Sequence, residues 1–168
     1  TEVSRKKFRN IATGRDVLVG TNKYPNPKEK LTFDPEALIQ SSEFDTTRAA
    51  YPTEVMRMAT ELHLRKRKRR PRAIVALIGD AEQRHVNATF AQEFFSCAGF
   101  EAEQQRFGSV EEASDKLSNT AAEVVVVASS QAAYVNEFGP RLRNHHAKPT
   151  LILADDPQHM KEEMMANG

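Results

Sequence analysis

Apolar residues are distributed unevenly along this chain. Residues 1–72 are polar and interrupted by Pro25, Pro27, Pro35 and Pro52, whereas residues 73–168 hold nearly all the dense apolar runs. Three of those runs are continuous: AIVALIG at 73–79, EVVVVA at 123–128 and PTLILA at 149–154. Apolar runs without alternation suit strands buried on both faces, as in a parallel sheet covered by helices. The weaker run FEAEQQRF at 100–107 alternates only in part and predicts a strand at a sheet edge.

Helical spacing fills the gaps between these runs. Residues 86–98 place Phe90, Phe94 and Cys97 on one face, and Gly99 follows as a stop. Residues 109–117 begin with Ser109 and Glu112 at the spacing of a capping box. Residues 132–143 carry Val135, Phe138 and Leu142 at helical spacing, with Gly139-Pro140 as a kink, and 157–166 form a last amphipathic stretch opened by Pro157. The order β-α-β-α-β-α-β-α with right-handed crossovers predicts an α/β fold, a doubly wound parallel sheet of the flavodoxin-like kind. Folds of this type usually have a fifth strand, so the domain at 73–168 is expected to lack its last strand or to find it beyond the end. Residues 1–72 read as an extended and partly helical N-terminal arm, with a helix near 47–66.

Composition narrows the classes of function. Hydrophobic residues make up 39% and charged residues 28%, a globular mix, and the net charge of +1 argues against a general nucleic-acid or membrane partner. No apolar run approaches the roughly 18 residues of a membrane span. Cys97 is the single cysteine, so an internal disulfide is excluded and a small buried hydrophobe is the plain expectation. These features favour a reducing, cytoplasmic or matrix compartment. The densest charge cluster is RKRKRRPR at 65–72. It reads either as a phosphate-binding or localisation patch or, about three times more readily, as the solvated end of a helix whose cations complement the C-terminal dipole before Pro71 stops it.

In an open α/β sheet, ligands sit beyond the carboxyl ends of the strands near the point where strand order reverses. Here that region comprises the loops after Gly79, Ala128 and Ala154. The first, DAEQRHVN at 80–87, has neither a G-x-G-x-x-G pattern nor a Walker pattern. Asp80, Asp155 and Asp156 suggest an acidic metal pocket of the kind used by response-regulator receivers. Those receivers, however, need their acceptor aspartate at the end of strand three, where this chain has Ser129. Helix capping by Asp155 or Asp156 ahead of Pro157 is the better reading. His85 has no second histidine or thiolate at ligand spacing, and His145-His146 fall at the opposite end of the sheet, so a helix-start or solvent-facing histidine is expected.

The stretch 79–100 (GDAEQRHVNATFAQEFFSCAGF) resembles the first β-α unit of the cobalamin-binding domains of acyl-CoA mutases. In the active family this segment runs D-x-H-x-x-G and then a helix ending in Gly-Phe, with the histidine as lower ligand of the cobalt. Aligning on Gly99-Phe100 puts Glu82 at the Asp position, Arg84 at the His position and Asn87 at the Gly position. Arginine stays protonated and has no lone pair to give a metal. Asn87 adds a side chain where backbone and corrin approach closely. The family's S-x-L survives only as Ser129-Ser130-Gln131, and the Gly-Gly that makes room for the nucleotide tail is Ala154-Asp155. Shifting the register by one makes His85 the ligand, but then Gln83 replaces the Asp and Ala88 the Gly.

A degenerate domain of this kind is similar to that of the small, non-catalytic subunit of heterodimeric methylmalonyl-CoA mutase. The segment KKFRNIATGRDVLVGTNKY at 6–24 resembles the end of the mutase barrel, where a basic helix leads to a strand and a Gly-x-Asn-x-Tyr turn. RAAYPTEVMRMATE at 48–61 resembles the linker helix before the cobalamin domain. The resemblance implies the C-terminal part of a small subunit that binds no cofactor, with vestigial pocket positions Glu82, Arg84, Asn87, Ser129, Gln131 and Asp155. Its partner would be the catalytic large subunit, where adenosylcobalamin would support isomerisation of methylmalonyl-CoA and succinyl-CoA. Two alternatives stand beside it: a divergent active cobalamin-binding domain with His85 as cobalt ligand, and a receiver-like signalling domain.

Overall fold

The computed structural model describes residues 2–12, 15–26, 50–78, 83–128 and 149–153. The chain divides into two compact units, 1–71 with 93–101 and 72–92 with 102–168. The second holds most of a parallel sheet. Its described strands are β1 (Arg72–Ile78), β2 (Glu101–Phe107), β3 (Val124–Ala128) and β4 (Thr150–Leu153), in the spatial order β2-β1-β3-β4. That is the flavodoxin-like order, with the reversal between β1 and β3.

β1 and β3 are central because both parities of their side chains are apolar. Pairing is parallel and in register from Ala73 with Val124 to Leu77 with Ala128, and β3 pairs in parallel with β4 from Val124 with Thr150 to Val127 with Leu153. Every residue of β3 and all of β1 after Arg72 is buried. Ile74, Ala76 and Ile78 share one cluster with Val125 and Val127, closed by Val110, Ala113 and Leu117 of helix α4 (Val110–Leu117). Each valine fully buried in this way contributes about 1.5–3 kcal/mol. β2 takes the outer position beside β1, and its half-exposed side chains match the partial alternation in its sequence.

Short polar bonds fix the ends of these elements. Ser109 caps α4 by accepting the Glu112 N–H at 3.2 Å, as the capping-box spacing predicts. The reciprocal arm lands one residue earlier than in the standard box: Glu112 accepts the Gly108 N–H at 2.8 Å. Lys116 and that N–H, with the Lys116 charge, hold the exposed Glu112 carboxyl below its usual range. At the amino end of the sheet, the Arg72 N–H donates to a Glu123 carboxylate oxygen at 2.8 Å, and the Arg72 guanidinium pairs with Glu103 at 3.0 Å.

The first unit contains helix α1 (Glu2–Ala12), helix α2 (Tyr51–Arg67) and the C-terminal end of helix α3 (Gln83–Cys97). After α1 the chain turns around the buried side chain of Asn22. Its amide donates to the carbonyls of Ile11 at 2.7 Å and Asp16 at 2.9 Å, and its oxygen accepts the Leu18 N–H at 2.9 Å. Gly20, at φ 74, supplies the left-handed residue this turn requires. The predicted helix near 47–66 corresponds to α2, which starts at Tyr51 and ends at Arg67, with Lys68 in the left-handed conformation at φ 60. The predicted helices at 132–143 and 157–166 lie outside the described residues.

Candidate functional site

The pairing of β1 with β3 brings the carboxyl ends of these strands side by side, with Leu77 opposite Ala128. This is the position in a doubly wound sheet where ligands bind. Of the positions singled out in the sequence, Arg84, His85 and Asn87 fall among the described residues. Glu82, Ser129, Gln131 and Asp155 lie outside them, as do Asp80, Asp156, His145 and His146.

Helix α3 begins at Gln83, three residues before the start at Val86 that hydrophobic spacing predicts. Arg84, His85 and Asn87 are therefore helical, so the positions aligned with H-x-x-G are wound into the first turns of α3. His85 is exposed, as expected of a helix-start histidine, and Asn87 is half-buried. The first turn contains no acidic side chain, although helix N-termini favour one. Val86 and Phe90, four residues apart, are exposed at 63% and 38%. Among the described residues, no group of three or more His, Cys, Asp or Glu side chains is placed to hold a metal ion.

The other end of α3 is closed by backbone and side-chain bonds. The Gly99 N–H bonds to the Ser96 carbonyl and the Phe100 N–H to the Phe95 carbonyl, both at 3.0 Å. With Gly99 at φ 92, this pair of bonds forms a Schellman turn. Its usual apolar clasp is present too: the rings of Phe95 and Phe100 meet edge to face at 5.2 Å. α2 packs directly on this turn. Thr60 Oγ1 donates to the carbonyls of Ala98 at 2.7 Å and Arg57 at 2.8 Å, sharing one hydrogen between them. A Cβ on Gly99 would collide with Thr60 Oγ1 and come within 2.9 Å of Arg57 Cδ.

An ion cluster frames the same turn. Glu61 accepts a hydrogen bond from the Arg70 guanidinium at 2.7 Å and forms an ion pair with Arg57, whose Nε lies 3.4 Å away, and Arg70 also donates to the Gly99 carbonyl at 3.1 Å. Cys97 is buried as predicted; desolvation, reinforced by Glu93 and opposed by Arg57, pushes its thiol up to about 11. These contacts position the helix; none is a catalytic arrangement. Sequence reading marks Gly99 and Cys97 but misses Thr60, Glu61 and Arg70. Glu61 and Arg70 are nine positions apart, across a helix end, where no helical periodicity links them.

No protein-family model matches this chain. It is similar to the methylmalonyl-CoA mutase small subunit of Porphyromonas gingivalis (strain ATCC BAA-308 / W83). The two are 29% identical over 168 residues, covering 94% of this chain and 26% of the relative. The chain thus spans about a quarter of that relative's length. Among the described residues, no helix is long and apolar enough to cross a membrane.

Proposed function

We propose that this chain is the C-terminal part of the non-catalytic small subunit of a cytoplasmic methylmalonyl-CoA mutase heterodimer, with a structural role and no bound cobalamin. The catalytic large subunit would hold adenosylcobalamin, which supplies the radical chemistry of the isomerisation when bound. The similarity to a mutase small subunit along nearly the whole chain supports the subunit assignment. The start of α3 carries the structural reading. Arg84 lies in the helix at the aligned ligand position, and a guanidinium has no lone pair for cobalt. Asn87, half-buried in the same helix, brings a side chain where a glycine is needed for close approach of a corrin. The described residues therefore do not fit the group, and no step of the isomerisation is assigned to them.

Cobalamin stoichiometry tests this reading. The chain is co-expressed with its catalytic large subunit, the heterodimer is purified, and bound cobalamin is counted by absorbance against protein. One cobalamin per heterodimer is expected. Two per heterodimer, with one lost on His85→Ala, would make this an active cobalamin domain instead.

A further inference from the structure

Among the described residues, eight large apolar side chains are exposed, and four of them (Val3, Val17, Val19 and Tyr24) fall within residues 3–24. That concentration marks the segment after α1 as one that lacks a neighbour. Val17 and Val19 are 47% and 76% exposed, whereas Leu18 between them is half-buried. The alternation has the period of a strand, so the two valines share one face.

The backbone alternates as well. The Leu18 N–H donates to Asn22 Oδ1 at 2.9 Å, and its carbonyl accepts the Thr21 N–H at 3.0 Å and the Asn22 N–H at 3.1 Å. Gly20, of the same parity, donates its N–H to the Lys23 carbonyl at 2.7 Å, closing a β-bridge between Val19 and Lys23. Val17 and Val19 have the other parity. Among the described residues, neither their N–H groups nor their carbonyls have a hydrogen-bond partner. A segment fixed along one edge and bare along the other is a template for a further strand. Proteins commonly blunt such an edge with lysine or proline, and residues 17–19 hold neither.

We infer that residues 17–19 are an acceptor edge for a strand supplied by the remainder of the same polypeptide. This rests on the reading of the chain as part of a mutase small subunit. The small subunit to which it is similar has about three quarters of its length outside the matched stretch. The size of the edge selects a tethered partner. Two valines and their backbone groups fall far short of the roughly 1,000 Å² that a stable interface between separate chains buries. A two-stranded pairing of this length is marginal by itself. A strand in the same polypeptide has an effective concentration of about millimolar for a short linker, so the same few bonds suffice. A second copy or a separate large subunit lacks that advantage.

The test is amide hydrogen exchange on the full-length small subunit, resolved to single residues by mass spectrometry with electron-transfer fragmentation. In the subunit alone, the Val17 and Val19 amides should exchange at least about 100-fold more slowly than in an unstructured chain. Val19→Pro, which deletes one donor of the bare edge, should raise exchange about tenfold in one stretch outside these 168 residues, the strand that fills it. If that variant fails to fold, Val19→Asp sets a charge on the covered face and is read in the same way. Fast exchange at Val17 and Val19 would overturn the proposal. So would protection that appears only on adding the large subunit or is lost on dilution, which would assign the edge to another chain. Loosening confined to these 168 residues would also overturn it, because the edge would then be filled from within. Gel filtration of the same samples with the large subunit checks the small-subunit reading separately. Failure to associate there would count against that reading, while the exchange at Val17 and Val19 still decides the edge.

Discussion

At its C-terminal end helix α3 closes in a glycine turn bonded by backbone, clasped by two phenylalanine rings and packed against Thr60 of α2. At its N-terminal end it presents exposed His85 and Val86, with no acidic side chain in the first turn. Gly99-Phe100 ends α3 and lets α2 approach. The positions that the resemblance aligns with D-x-H-x-x-G hold Glu82, Arg84 and Asn87. Scaffold residues answer to packing, and packing is needed whether or not a cofactor binds. Ligand residues answer only to the ligand. On the proposed reading, this contrast between the two ends is the mark of a domain that serves by its shape.

The sharpest way to break the closed end is Gly99→Ala. The new methyl meets Thr60 Oγ1 and Arg57 Cδ, and φ 92 is unfavourable for any L side chain. Strain together with loss of the buried Thr60 bond should lower unfolding stability by about 2–4 kcal/mol in urea melts. A loss below about 0.5 kcal/mol would show that the turn is not held as described. Glu61→Gln should have the next largest effect. It removes the charge shared by Arg57 and Arg70, all three side chains being largely shielded from water, and should cost about 1–3 kcal/mol in the same melts.

Cys97 gives a pH-dependent version of the same test. Burial raises its thiol from 9.0 to about 11, so the folded chain holds this proton more tightly than the unfolded chain does. Its contribution to stability is present in full below pH 9 and is lost as pH rises toward 11. Melting temperature should therefore fall across that window more steeply in the wild-type chain than in Cys97→Ala. Parallel profiles would contradict the burial argument. The smallest effect belongs to the open end: His85→Ala should leave stability within about 0.5 kcal/mol of wild type.

Much of this fold is legible in the residues. Unbroken valine marks β3 as a central strand, and the mixed run at 101–107 marks β2 as an edge. Ser109 and Gly99 announce their helix ends through side-chain capping and left-handed geometry, both local effects. The start of α3 is less legible. Gln83, Arg84 and His85 are all polar, so apolar spacing begins only at Val86 although the backbone is already helical. The end of α2 has no glycine to signal it, because Lys68 takes the left-handed residue's place. Asn22 and the Glu61–Arg70 pair act across turns, beyond the reach of periodicity.

On the proposed reading, this chain has a cobalamin-type scaffold without the means to hold cobalt. Spectrophotometric titration of the purified chain with hydroxocobalamin and adenosylcobalamin tests it most directly. The cobalamin spectrum should stay unshifted, and no colour should remain with the protein after gel filtration. A spectral shift saturating with a Kd of about 1 µM or tighter, and abolished in His85→Ala, would contradict it.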